Sequence, residues 1–244
     1  MQLSCTNLLP HETFIFTRSS IKKADNSGKK IREKIAKVYL FFREHFGLNA
    51  EFNQPNISVE PVGNSLWSCK ISGEGKHCTW NLRQDSVRLE EIALAYLRAS
   101  LPSSNLIGEV GALSRAMPII LGIVFKRSLG EPNWLIGGND LSQSIDMQSS
   151  KSEPATIQGS RVLSHAFYQV VKRSGEKHLM CISQLFWKIF LEGLNGGDFK
   201  TFACLTVTFA RMNYPEISPA VLQRSWLEVG VLKPIPSQKP TPSH

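Results

Sequence analysis

Apolar and polar positions repeat along this chain with two periods, and the changes between them divide it. Residues 30–46 place Ile31, Ile35, Val38, Phe42 and Phe46 on one helical stripe, and Gly47 follows where a helix C-cap belongs. Residues 57–62 alternate weakly. Residues 65–72 (SLWSCKIS) and 76–82 (KHCTWNL) flank GEG, which predicts a β-hairpin. The helical period returns in DSVRLEEIALAYLRASL, residues 85–101. Leu89, Ile92, Ala93, Tyr96 and Leu97 form its stripe, Asp85 or Ser86 caps its start, and Pro102 stops it. Residues 106–129 are broken by Gly and Pro and predict two short helices. Segments 161–173, 177–193, 198–212 and 218–229 each predict a helix. The last has Ser218 at the N-cap, Pro219 at N1 and Gly230 past its end.

The expected class is therefore mainly α with a small β-hairpin region. An N-terminal lobe spans 21–129 and a C-terminal lobe spans 161–231. Residues 130–160, rich in Ser, Gly, Gln and Asn, read as a hinge or long loop between them. Residues 1–20 read as an N-terminal arm. Residues 232–244 carry four prolines and read as a C-terminal arm. No repeat occurs at solenoid periods.

Composition narrows the function. Of 244 residues, 42% are hydrophobic and 20% charged, which excludes disorder as the main state. Lys and Arg number 28 against 20 Asp and Glu, a net charge of +8. That surplus suits a polyanionic partner, either nucleic acid or an acidic membrane surface. The five cysteines are odd in number, widely spaced and free of any CxxC, which points to free thiols in a reducing compartment. The N-terminal residues lack the charged and apolar regions of a secretory signal. The apolar run AMPIILGIVF, 116–125, holds Pro118 and Gly122 and is too short to span a bilayer. A soluble intracellular chain without stable membrane insertion is the expectation.

Catalytic and metal chemistry finds little support. His77 and Cys78 are adjacent, so in a strand they face opposite sides and do not share an ion; no metal site and no cofactor are expected. No GxSxG, HExxH or phosphate-binding Gly-rich motif is present, and LIGGND reads as a turn. Glu90 and Glu91 sit side by side on an exposed part of their helix and do not oppose one another as an acid–base pair. Nothing nominates an enzyme. The paired aromatics of the second half, among them Phe186, Trp187, Phe202 and Trp226, read as core.

The cations carry more information. Lys30, Lys34, Lys37 and Phe41 follow an i, i+4, i+7, i+11 ridge off the apolar stripe of their helix. Three cations beside an aromatic ring suit a sugar-phosphate backbone with a stacked base. The plainer reading is a solvated lysine face with Phe41 covered by another element. Lys126, Arg127, Lys172 and Arg173 lie at helix ends, where they either pair with the helix dipole or converge on one groove. Arg98 lies opposite the stripe of its helix, and Leu94 and Ala95 beside it offer no counter-charge.

One arrangement in this order resembles the N-terminal lobe of orthobunyavirus-type nucleoproteins, and tospovirus nucleoproteins about equally. The residues that carry it are the helix KVYLFF, the strand VGNSLWSCKI with Trp67 and Lys70, and the helix of residues 85–101 with Leu89, Ile92 and Arg98 on the family pattern. The ending SWLEVGVLKP is similar to the family's FGI-x-x-P ending. Glu90 and Glu91 stand where the family has His-Arg, and the family's SFFPG stretch is missing. The resemblance implies a two-lobed helical nucleoprotein fold with terminal arms and a basic cleft for single-stranded RNA. Lys70 and Arg98 would join the cleft with the cations above. Leu232 and Ile235 of the C-terminal arm would dock on a neighbouring copy. Implied partners are viral genomic RNA, other copies of the chain and a viral polymerase, in the virion and the host cytoplasm. The rival reading is a matrix-type structural protein on acidic membranes.

Overall fold

A computed structural model of the chain describes residues 26–48, 56–61, 66–73, 76–83, 88–100, 108–143, 155–193 and 197–233. The arm expected at 1–20 lies outside them. The described residues are mainly helical with small antiparallel sheets, and the chain divides into two compact units. The first is drawn from residues 1–106 and 114–140, the second from 107–113 and 141–244.

In the first unit, helix α1 (Asn26–Phe46) buries Ile35, Val38, Tyr39, Phe42 and Phe46, close to the predicted stripe. It ends where Gly47 adopts a φ of 62° and donates its N–H to the Arg43 carbonyl at 3.1 Å. Strands β1 (Asn56–Pro61), β2 (Leu66–Gly73) and β3 (Lys76–Arg83) form an antiparallel sheet in that order. The Gly73–Lys76 pair closes the predicted hairpin. The register aligns Ile57, Val59 and Pro61 with Ile71, Cys69 and Trp67, and those with Cys78, Trp80 and Leu82. Strand alternation therefore collects these nine residues on one face. Ser58, Lys70 and Thr79 share the other, and His77 and Cys78 fall on opposite faces.

Helix α2 (Leu89–Ser100) departs from a one-sided stripe. Ile92 to Leu97 are buried without a break, including Leu94 and Ala95. The reason is that α2 is covered on several sides. Tyr96 stacks on Phe42 of α1 at 5.9 Å, and the helix also packs against β2 and β3. Glu91 and Arg98 are its exposed positions within this stretch.

Residues 106–129 do not form two short helices. A single helix, α3 (Gly108–Ser128), runs through Pro118. A proline inside a helix costs about 3 kcal/mol. Burying a large apolar side chain returns roughly 1.5–3 kcal/mol. Leu113, Met117, Ile119, Ile120, Leu121, Ile123, Val124 and Phe125 are all buried, so packing overrides the local break. The apolar run 116–125 is thus part of a helix that is, by length and composition, long and apolar enough to cross a membrane, and most of its apolar window is buried within the protein. Gly122 allows a close approach, since a Cβ there would stand 2.7 Å from Ile136 Cδ1 and 3.2 Å from Leu94 Cδ2.

The expected hinge holds structure of its own. Strands β4 (Leu135–Ile136) and β5 (Asn139–Asp140) pair across Gly137 and Gly138, both at positive φ, as a two-residue hairpin turn of this kind requires. Helix α4 begins at Ala155, ahead of the predicted start.

The second unit contains α4 (Ala155–Ser174), a 3-10 turn at Glu176–His178, α5 (Leu179–Gly193), α6 (Phe199–Asn213) and α7 (Pro219–Glu228). Its core is aromatic, as predicted. Phe186 stacks on Trp226 at 5.8 Å and meets Phe167 and Phe202 edge-on. The buried Trp226 indole donates to Thr206 Oγ1 at 2.9 Å. Asp198 caps α6 by accepting from the Thr201 N–H, while Glu109 accepts from the Phe199 N–H at 2.6 Å. Ser218 holds the N-cap position of α7 and Pro219 follows it, as predicted, although the Ser218 side chain makes no cap bond.

Gly159 of α4 sits where a Cβ would meet Phe199 Cζ at 2.7 Å and Ala112 Cβ at 2.9 Å. Gly159→Ala should therefore destabilise the protein by about 1–3 kcal/mol through overpacking, despite its better helix propensity. Urea unfolding measures this. A stability equal to or above wild type would show that the contact relaxes at no cost.

Candidate functional site

The predicted cations separate into those tied up inside the fold and those left at its surface. Lys126 is buried. Its ammonium lies 2.8 Å from Glu90 Oε2 and 3.5 Å from Glu131 Oε2, and it donates to the Leu135 carbonyl at 2.8 Å. Glu90, expected on an exposed part of α2, has a side chain only 14% exposed because it faces this ammonium. Arg127 lies 4.5 Å above the Trp134 ring and donates to the Pro132 carbonyl. Both lie in the last turn of α3. Both hold the segment 131–135 as it returns over the end of α3.

Arg173 is likewise engaged. Its guanidinium donates to Ser225 Oγ at 3.0 Å and to the Glu228 carboxylate, so it fastens α4 to α7. The same guanidinium holds the Glu228 carboxyl below its ordinary range. Phe41 is not an exposed stacking ring. It is half-buried, 5.1 Å from Phe125 of α3 and 5.2 Å from Phe42, so α3 covers the flank that the ridge was expected to open. Lys34, on the same ridge, is half-buried. The side chains of Lys30 and Lys70 lie outside the described residues; their backbones belong to α1 and β2. Leu232 is half-buried, and its N–H bonds to the Trp226 carbonyl at 3.2 Å, so it belongs to the end of α7 and not to a free arm. Ile235 lies outside the described residues.

Among the described side chains, three predicted cations are exposed at the surface. Lys37 on α1, Arg98 in the last turn of α2 and Lys172 in the last turn of α4 are exposed. None has a carboxylate within ion-pair distance among the described residues. Two helices concentrate positive charge. Helix α1 carries six Lys and Arg against two Glu, and the 20 residues of α4 include no Asp or Glu. One feature of α4 escaped the sequence reading: the Lys172 ammonium stands 5.7 Å from the Tyr168 ring centroid. Arg161, His165, Tyr168 and Lys172 repeat the i, i+4, i+7, i+11 spacing noted on α1, and that spacing was the available signal.

The Cys181 thiol is not an activated nucleophile. Burial and the neighbouring Glu216 carboxylate, which accepts from Cys181 Sγ at 2.7 Å, push the Cys181 thiol up to about 12. Cys204 is exposed on α6. Among the described residues no three His, Cys, Asp or Glu side chains gather as metal ligands. No known protein family and no curated protein sequence matches the chain.

Lys126→Met should destabilise the protein by about 3 kcal/mol, because it leaves the Glu90 carboxylate in place without its main partner. Lys37→Met should change stability by less than about 0.5 kcal/mol. Equal unfolding midpoints for the two variants would reduce the Lys126 cluster to an ordinary surface pair. A brief iodoacetamide pulse at neutral pH, mapped by mass spectrometry, should label Cys204 well ahead of Cys181. The reverse order would mean that Cys181 is not held protonated.

Proposed function

We propose that this chain is a nucleoprotein that coats single-stranded RNA without sequence preference. The observation that carries the reading is the group of exposed cations with no carboxylate partner among the described residues: Lys37, Arg98 and Lys172. Internal bonds engage Lys126, Arg127 and Arg173, so among the described side chains Lys37, Arg98 and Lys172 are the exposed predicted cations that could meet a phosphate. A phosphate backbone attracts such side chains through charge and counterion release, which read no base. The resemblance of residues 30–101 and of the chain's end to orthobunyavirus-type nucleoproteins supports the same reading. In it, the two compact units are the lobes, and copies associate through the segment that includes Ile235.

Binding of a fluorescent uridine oligomer, followed by anisotropy across a salt series, tests the proposal. Lys37→Ala, Arg98→Ala and Lys172→Ala should each weaken binding and reduce the slope of log K against log salt by about 0.7, without lowering the thermal midpoint. Uridine-rich and mixed-sequence oligomers should bind alike. The reading fails if the protein ignores RNA while binding anionic vesicles, or if all three variants keep the wild-type slope.

A further inference from the structure

We propose that the β4–β5 hairpin of one copy docks on the outer face of α6 of a second copy, with Leu135 set against Met212 and Glu131 beside Arg211. This contact is separate from the RNA reading and needs no RNA.

Among the described residues two large apolar side chains are exposed: Leu135, at 48%, and Met212, at 73%. A single exposed apolar side chain is ordinary. Leu135 differs in how firmly its loop is held. Lys126 donates to the Leu135 carbonyl, Arg127 donates to the Pro132 carbonyl, and Asn133 Oδ1 accepts from the Leu135 N–H at 3.3 Å. The Asn139 amide donates to the Ile136 and Gly137 carbonyls, and the Ile136 side chain is buried. With its N–H and carbonyl both engaged, Leu135 has its side chain left to offer a partner. A side chain on a loop already fixed in place loses little entropy when it is covered, which favours binding.

The receiving face is uncharged along its middle. Thr201, Cys204, Thr208 and Met212 are exposed at i, i+3, i+7 and i+11 of α6, so they share one side. No Asp or Glu lies within α6. Arg211 adjoins Met212, and Lys188 of α5 reaches the same helix, 5.3 Å from the Phe209 ring. Both cations are exposed, and neither has a carboxylate within ion-pair distance among the described residues.

Charge selects the occupant. Segment 131–140 contains Glu131 and Asp140 and no Lys or Arg. The Lys126 ammonium lies closer to Glu90 than to Glu131, 2.8 Å against 3.5 Å, and the Glu131 side chain is 52% exposed, so its carboxylate is placed to meet a second cation. Two α6 faces would set cation against cation, and two hairpins carboxylate against carboxylate. Hairpin on α6 is the pairing that brings opposite charges together. A stable interface takes roughly 800 Å² from each partner. A short hairpin on one helix face provides less, so the association is reversible and grows with concentration.

Sedimentation velocity of nuclease-treated protein at low salt, over a concentration series, tests the contact. Wild type should gain mass as concentration rises. Leu135→Lys and Met212→Asp should each weaken association by roughly 30-fold, the effect of losing a central interface contact, with thermal midpoints unchanged. Leu135→Lys keeps a sound α6 face and Met212→Asp keeps a sound hairpin. Their equimolar mixture should therefore recover dimers that neither forms alone. The contact is overturned if wild type stays monomeric, if either variant associates like wild type, or if the mixture recovers nothing. Association that appears only when RNA is added would belong to the strand and would also overturn it.

Discussion

An ammonium taken out of water has to be answered by protein groups, and Lys126 is answered from three places in the sequence. Glu90 comes from α2, Glu131 from the segment after α3, and the Leu135 carbonyl from the first strand of the small hairpin. These ligands oblige the end of α3, the start of α2 and the returning chain to meet at one point. The apolar contacts follow from that meeting. Ile136 reaches Gly122 and Leu94, where the absence of a side chain on Gly122 leaves room for both. Charge thus positions the segment, and burial supplies most of the stabilisation.

The same interaction shapes the protein's surface. A cation bonded to its own fold does not contact a polyanion without losing those bonds. Lys126, Arg127 and Arg173 are in that position, which leaves Lys37, Arg98 and Lys172 to carry the proposed interaction. Arg98 gains importance from its setting. Ile92 to Leu97 before it are buried, so among the described residues of α2 its guanidinium and the Glu91 carboxylate are the exposed charges.

Local signals were legible in the chain wherever they agreed with the packing. The α1 stripe, its Gly47 terminus, the β2–β3 hairpin and the Ser218–Pro219 start of α7 were all readable from spacing. Pro118 was misleading because its cost is local while the burial that exceeds it comes from distant residues. The engaged cations were hidden for the same reason. Glu90 lies far before Lys126 in sequence, and Glu228 far beyond Arg173. Phe41 occupies a polar ridge on a helical wheel, yet Phe125 covers it from another helix. Tyr168 went unnoticed because an aromatic residue among Val and Phe reads as core until its partial burial and the ammonium over its ring are seen.

The covering of Leu94 has a consequence for the order in which the first unit is assembled during synthesis. Strands β1, β2 and β3 pair with sequence neighbours, so the sheet has its full set of partners once residue 83 has left the ribosome. Helix α2 follows directly. Gly122 and Ile136, which close over Leu94, emerge only roughly 30 and 40 residues later. Lys126 arrives in the same interval, so until then Glu90 has neither its ammonium nor the cover that accompanies it. During that interval an apolar wall and a carboxylate paired only with its sequence neighbour Arg88 stand open together, and it is the nascent chain, more than the finished protein, that needs protection from neighbours.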